Sequence, residues 1–268
     1  MAEVMGTTDK AKKLAESAGL RVPENPDGKI RWRKLVEKSA RDLGIGKSLR
    51  AFRFAESNAW INPHDQGFGE ADFITGMSLR AETYPCKAVL ARGRNATDIL
   101  CRHCHQTAET VGHISGACWK VKDYRIKRHN AIVNSVAEKC KAAGWMVTHE
   151  PSIPDSEGNR YKPDLIMVQG AQAWVLDPTV VYENGQSLQL ANAAKVKKYE
   201  TIEEQVKEKF GVGKVQFAGL AIGARGGWCD QNTTTLERLG ITQKGFRSHL
   251  CRLALKGTMN MLRLFMDG

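Results

Sequence analysis

Asp164 follows Pro163, Asp177 lies inside the apolar run Trp174 to Val181, and Lys195 and Lys198 come soon after. Two carboxylates on adjacent strands can hold a divalent metal, Mg²⁺ or Mn²⁺, because these hard cations prefer oxygen ligands. A lysine beside them can orient a water or offset the charge of a phosphorane. That set is the minimum equipment for hydrolysing a phosphodiester. Asp177 needs explaining most, because a carboxylate in a buried apolar strand is costly unless it meets a cation.

The elements that must position these groups follow from periodicity. Side chains alternate along a strand, so Asp164, Ile166 and Val168 share one face, as do Val175, Asp177, Thr179 and Val181. A long helix is expected from about Ser187 to Phe210. Its stripe Leu188, Ala191, Lys195, Lys198, Ile202 and Val206 faces the sheet, whereas Lys197 points to solvent. Two lysines on a packing face are as unusual as the aspartates opposite them. The alternative is a structural ion pair between Asp177 and a lysine, or lysines that snorkel past the helix edge. Glu150, at the end of the preceding strand, reads as an exposed strand-end residue rather than a further ligand.

A second group of residues has metal-ligand spacing: Cys101-x2-Cys104-x8-His113-x4-Cys118. Thiolate and imidazole donors suit a tetrahedral structural zinc, and closing such a loop supplies folding energy that a polar stretch cannot gain by burial. His103 and His105 lie inside the loop and could replace His113, although the spacing to Cys118 favours His113. Arg92, Arg94, Arg102, Lys120 and Lys122 flank the cluster, as expected of a nucleic-acid clamp.

Bulk properties point the same way. The 268 residues carry a net charge of +11, so an anionic polymer is the expected partner, unless the charge serves only solubility. The sequence has no apolar run of the roughly 18 residues a membrane span needs, and its first residues contain no secretory h-region. Seven cysteines, three of them clustered, do not make a disulfide framework.

Four segments are expected: a polar tail over 1–28, a basic helical linker over 29–98, the CCHC knuckle over 99–120, and a catalytic unit over 121–268. Within the linker, Arg31 to Phe54 reads as short basic surface helices, and Glu70 to about Arg80 as another helix. In the last segment a helix over Asp123 to Ala143 buries Ile126, Ile132, Val133, Val136 and Cys140. Strands follow at Trp145–His149, Asp164–Val168, Ala173–Val181 and Lys214–Ile222. Gly223 to Gly227 reads as a flexible loop, and helices near Asn232–Leu239 and Lys244–Phe265 complete a mixed α/β domain with a central sheet flanked by helices.

The motifs in this order resemble a known family. Lys127-Arg128-His129-Asn130, Lys162-Pro163-Asp164, Leu176-Asp177 and Lys195-x2-Lys198-Tyr199 resemble the restriction-like endonuclease of site-specific non-LTR retrotransposons that insert into ribosomal RNA genes. The Cys101 to Cys118 cluster resembles the zinc knuckle of the same proteins. Ala81 to Pro85 and Ala91 to Arg94 resemble the linker ahead of it. The resemblance runs from about residue 30 to the C-terminus.

It implies a PD-(D/E)xK fold and a divalent-metal-dependent activity that nicks target DNA, so that the freed 3′ end primes reverse transcription. It makes Asp164 and Asp177 metal ligands and Lys195 or Lys198 the catalytic lysine. Most PD-(D/E)xK enzymes carry that lysine two residues after the second acid. Thr179 stands there in this chain, so the lysine must come from the helix. Arg128 and His129 are implied to touch double-stranded DNA, element RNA is a second candidate partner, and the nucleus is the implied location. Nothing in the chain resembles a polymerase aspartate motif, so the resemblance implies the C-terminal portion of a longer protein that does not itself polymerise. The competing readings are a nucleic-acid-binding knuckle module with a latent nuclease, and a structural zinc protein with an ion-paired core.

Overall fold

The computed structural model describes residues 49–61, 68–92 and 98–267. The chain divides into two units, Met1–Arg50 and Ala51–Gly268, and every side chain described below belongs to the second. The polar tail and the basic helices expected before Leu49 lie outside the described residues. The end of that stretch is a short 3-10 helix, Leu49–Phe52.

In chain order the α-helices are α1 (Ala55–Asn58), α2 (Glu70–Arg80), α3 (Lys87–Leu90), α4 (Val111–Gly116), α5 (Lys122–Ala142), α6 (Ser187–Glu200), α7 (Glu203–Phe210), α8 (Asp230–Arg238) and α9 (Lys244–Asp267). The strands are β1 (Met146–His149), β2 (Ile153–Pro154), β3 (Arg160–Tyr161), β4 (Leu165–Gln169), β5 (Gln172–Val181) and β6 (Lys214–Gly223). The main sheet has the order β1-β4-β5-β6, with the first two pairings antiparallel and β5–β6 parallel. A parallel pair needs a crossover, and α6 with α7 supplies it. The domain is therefore the mixed α/β type that the alternating pattern implied.

Both faces of the sheet are covered. Leu165, Met167, Trp174 and Leu176 pack with Ile132 and Val136 of α5, Leu236 of α8 and Leu250 of α9. Ile166, Val168, Ala173 and Val175 face the other way, onto Tyr199, Ile202 and Val206. Gly170, at a φ of +58°, makes the turn between β4 and β5, a conformation that favours glycine.

Four local expectations are corrected. The single helix over Ser187–Phe210 breaks at Thr201–Ile202, and α7 restarts with Glu203 and Glu204 in its first turn, where carboxylates suit the positive helix end. The short β2–β3 ribbon was not expected; Asp155 turns it by accepting the backbone amides of Glu157 and Asn159. On α5 the buried residues include Arg128, Ile132, Val136 and Cys140, while Ile126 is 45% exposed.

The loop at Gly223–Gly227 is pinned rather than free. Arg225 is fully buried and donates through its backbone N and its Nε to the Glu183 carboxylate, and through Nη2 to the Glu183 carbonyl. Gly227 lends its amide to the same carboxylate, and Arg80 of α2 donates from Nε to the Arg225 carbonyl. Neither Arg225 nor Glu183 has water to fall back on. Glu183→Gln keeps the shape but leaves the guanidinium without its main counter-charge, with Glu82 at the rim the remaining acid. The expected loss is about 3–5 kcal/mol, read as a lower urea midpoint at unchanged slope; an unchanged midpoint would contradict the account.

Candidate functional site

The antiparallel register pairs Leu165 with Leu176 and Ile166 with Val175. Continued by one step, it sets Asp164 opposite Asp177, on the face shared by Ile166 and Val175. The strand ladder thus brings together two carboxylates 13 positions apart in sequence. Asp177 is 3% exposed.

Each carboxylate has one oxygen held by a protein donor. Tyr199 donates its hydroxyl to Asp177 Oδ2 at 2.5 Å, and His129 Nε2 meets Asp164 Oδ1 at 3.1 Å. The other two oxygens, Asp164 Oδ2 and Asp177 Oδ1, are buried and have no hydrogen-bond partner. Lys195 Nζ lies 2.6 Å from Asp177 Oδ1. That ion contact is real in distance but lacks hydrogen-bond alignment, so Asp177 Oδ1 has a counter-charge without a directed donor.

The electrostatics match an incomplete cation site. Burial raises the Asp164 carboxyl above the usual aspartate range, and the adjacent Asp177 charge raises it further, against the opposing pull of the His129 bond. The same bond raises the His129 imidazole against the cost of its burial. Burial and then the bond to Asp177 push the Tyr199 hydroxyl far above its ordinary value, so it stays a donor. Asp177 is buried with Lys195 as its counter-charge, and half-buried Asp164 has His129. Carboxylate oxygens facing each other in this way could hold a Mg²⁺ or Mn²⁺ ion, which prefers oxygen ligands.

The helix carrying the lysines is set by close packing. Gly219 pairs with Asp177 across β5–β6. A Cβ at Gly219 would meet the Asn192 backbone and the Lys195 Cβ, all at 2.9 Å. Asn192 accepts the Gly219 amide at 3.2 Å, and Asn232 bonds the Ala221 carbonyl beside it. The buried face of α6 is therefore Leu188, Asn192 and Tyr199, with Lys195 half-buried at the acids. Lys198 is exposed on average; its ammonium reaches the Tyr199 hydroxyl at 3.0 Å and not an acid.

Gly219→Ala tests that packing. The helix must lift, at a cost of about 1–3 kcal/mol, and Lys195 moves with it. The expected result is a folded protein whose melting temperature falls by a few degrees and in which Lys195 is drawn away from Asp177. An unchanged melting temperature with that contact intact would show that the Lys195 position is not set here.

The remaining candidates separate. Arg128 was expected to touch DNA, but it is 4% exposed and bonds Thr258 Oγ1 and the Ser115 carbonyl. Its aliphatic stem lies against Gly257, where any Cβ would collide with it. It ties α5 to α9, a correction of the sequence expectation. Helical phase carried the signal, since 128, 132 and 136 recur on one face. His129 lies beside Asp164, at the mouth of a cleft of ≈ 260 Å³ also lined by Arg125, Ile126 and Thr179. Arg92 is exposed and donates to the Glu82 carbonyl. Lys120 and Lys122 lie at the surface where α5 begins. Arg94 falls outside the described residues. Glu150 is exposed, is bonded to Lys162, and adopts a φ of +46° while its amide donates to the Asp164 carbonyl. Tyr199, Asn192 and Gly219 were missed as positioning residues.

The second site is the cysteine cluster. The ligand atoms of Cys101, Cys104, His113 and Cys118 all lie within 4.8 Å of one another. Cys101 and Cys118 sulfurs are 3.8 Å apart, and Cys104 Sγ is 3.2 Å from His113 Nε2. Tetrahedral zinc with bonds of about 2.3 Å to sulfur needs comparable separations, so the cluster could hold zinc. Thr107 Oγ1 meets His113 Nδ1 at 2.9 Å, which orients the ring and leaves Nε2 for a metal. Burial pushes the Cys118 thiol up to about 11, a cost that a bound cation would reverse. His103 is occupied elsewhere, against the Phe265 carbonyl and ring. The knuckle is not a free bead: Cys101, Val111, Ile114 and Cys118 share a core with Leu255, Met259 and Phe265 of α9.

No family model matches the chain. Among known proteins it is similar to a retrovirus-related Pol polyprotein from the type-1 retrotransposable element R2 of Popillia japonica. The identity is 27% over 237 residues, 88% of this chain and 48% of that protein. It is also similar to the Pol polyprotein of the type-2 element R2DM of Drosophila melanogaster, at 26% over 226 residues, 82% of this chain and 21% of that one. A further R2 Pol polyprotein from Popillia japonica is 31% identical over 216 residues, 80% of this chain and 30% of that one. The chain spans about half or less of the length of these relatives. The similarity to R2 retrotransposable elements agrees with the resemblance carried by the motif order.

Proposed function

We propose that this segment is a divalent-metal-dependent DNA endonuclease of PD-(D/E)xK type, which in an R2-like polyprotein nicks target DNA to provide a primer for reverse transcription. The observation that carries the reading is the facing pair Asp164 and Asp177, each with one oxygen held and one without a hydrogen-bond donor, with Lys195 beside them. The passage from α5 through the sheet strands β1, β4 and β5, over α6 and α7, to the parallel strand β6, together with the R2 relatives, supports it.

Asp164 and Asp177 would hold the metal through Oδ2 and Oδ1 respectively. The metal, when bound, polarises the scissile phosphate and lowers the pKa of a coordinated water. Tyr199 and His129 keep the carboxylates in register, so no reorganisation is needed at the moment of reaction. Lys195, which lies against Asp177, would orient the attacking water or offset charge on the phosphorane. Lys198 acts at one remove, by holding the Tyr199 hydroxyl. Arg125 and the basic N-terminal half of α5 would meet phosphates. Zinc would hold the knuckle against α9. A protein acting on chromosomal DNA would work in the nucleus.

The Lys195–Asp177 ion pair favours a second reading, a latent nuclease that binds nucleic acid but whose lysine blocks the metal site. Supercoiled plasmid incubated with the protein and Mg²⁺ separates the two. Nicking that Asp177→Asn removes supports the enzyme. Salt-sensitive retention without nicking supports latency. Equal nicking by both proteins refutes the assignment of the site.

A further inference from the structure

Trp119 directly follows the ligand Cys118 and is 62% exposed, whereas Trp60, Trp145, Trp174 and Trp228 are all at 5% or less. An isolated exposed aromatic would need no explanation. This one is held out by its neighbours. Cys118 before it belongs to the metal cluster, Val121 after it is fully buried, and Arg125 Nη1 donates to the Cys118 carbonyl at 3.2 Å. The backbone on both sides of the indole is thus anchored, with the ring standing out at the surface.

It also stands at the head of a row. Trp119, Lys122, Ile126 and His129 follow one another at intervals of three or four residues, so they line one side of the segment that becomes α5. Ile126 is 45% exposed and lines the cleft that holds His129 and Thr179. From Trp119 to His129 the row is about 15 Å long, roughly four base steps of a duplex strand. Lys120, Arg125 and Lys127 flank it, and Asp123 is the one acid between Trp119 and His129. Positive charge beside exposed apolar surface is the composition of a single-strand path, where phosphates meet cations and bases meet rings.

We propose that Trp119 is a stacking platform for an unpaired base of the DNA strand whose continuation reaches Asp164 and Asp177. The identity of that strand rests on the nuclease reading; the stacking itself does not. Bases within a duplex are already stacked on each other, so an indole fixed at the surface can take only a base that has left its partner. The platform would grip the strand a short distance from the cut and favour melted DNA over closed duplex at that point.

The test is binding of a labelled single-stranded DNA oligonucleotide, its duplex and the matching single-stranded RNA by fluorescence anisotropy, in magnesium-free buffer with the zinc retained. Trp119→Ala is expected to weaken single-stranded DNA binding about 5- to 100-fold, the range of one lost base–aromatic stack, and to leave duplex binding within about twofold. Trp119→Phe should retain most of the affinity. Trp119→Leu, which keeps apolar area without a π face, should behave like alanine, and it reports on stacking if the alanine variant folds poorly. No loss with alanine, an equal loss on duplex, a loss on RNA alone, or a leucine variant as good as phenylalanine would each overturn the proposal. Plasmid nicking is scored separately with Mg²⁺. A ring-dependent single-strand affinity without nicking retains the platform and removes the nuclease, and nicking with no ring dependence does the reverse.

Discussion

Replacing Asp177 by asparagine is expected to cut plasmid nicking on the order of 10³-fold, a barrier increase of about 4 kcal/mol, while leaving the protein folded. Both halves of that result follow from the same geometry. Asp177 Oδ1 is one of the two carboxylate oxygens without a hydrogen-bond donor, so an amide there removes a charge from the proposed metal site. Yet in the absence of metal Asp177 is also a burden, because its charge helps to raise the half-buried Asp164. Losing it relieves that repulsion and leaves Lys195, whose side chain is 29% exposed, to turn to water. The two effects oppose, so the melting temperature in metal-free buffer should move by only a few degrees. A catalytic loss that merely tracked unfolding would lower both together. The lysines divide in the same experiment. Lys195→Ala should lose about 10²- to 10³-fold, whereas Lys198→Ala, which loses only the contact to Tyr199, should stay within about tenfold. The reverse order would reassign the catalytic lysine.

Removing zinc is expected to give the largest loss of stability. Structural zinc contributes on the order of 10–16 kcal/mol in isolated finger peptides. Part of that is offset here, because Val111, Ile114 and Val121 keep their packing against α9. The dependence runs in both directions: a loosened knuckle uncovers Leu255, Met259 and Phe265, and with them the helix that also covers the sheet. Cys118→Ser, which substitutes a poor zinc ligand at a site 1% exposed, should lower the melting temperature by about 10 °C or more and abolish zinc binding at the cluster. Chelation of the wild-type protein should do the same reversibly. A melt unaffected by chelation, or a purified protein without zinc, would contradict the metal assignment.

How much of this was legible in the sequence depends on the kind of signal. An aspartate in the apolar run Trp174–Val181 contradicts its surroundings, and such a contradiction is visible without a structure. So is a Cys-x2-Cys pair followed by His and Cys at chelating distance. The helical period puts both Lys195 and Lys198 on the packing face; Lys195 does meet Asp177 there, whereas Lys198 is exposed. Residues that act by shape left weaker traces. Gly219 looks like any glycine in a strand until the helix across it is known. Tyr199 stands in the Lys195-x2-Lys198-Tyr199 motif without a role and Asn192 reads as an ordinary helix residue, since only the register of α6 on β5 and β6 shows what they touch. At Arg128 chemistry and helical phase point in different directions. A positive residue beside a candidate active site suits DNA, but its spacing from Ile132 and Val136 puts it on the buried face.

The candidate metal-binding residues are thus more legible than the side chains that hold them. If Asp164 and Asp177 share one divalent ion, crystals soaked in Mn²⁺ at a concentration that saturates nicking should give one anomalous peak between Asp164 Oδ2 and Asp177 Oδ1, with Lys195 moved off Asp177 and Tyr199 and His129 still in place. An empty position there, with Lys195 still paired to Asp177, would refute the shared ion.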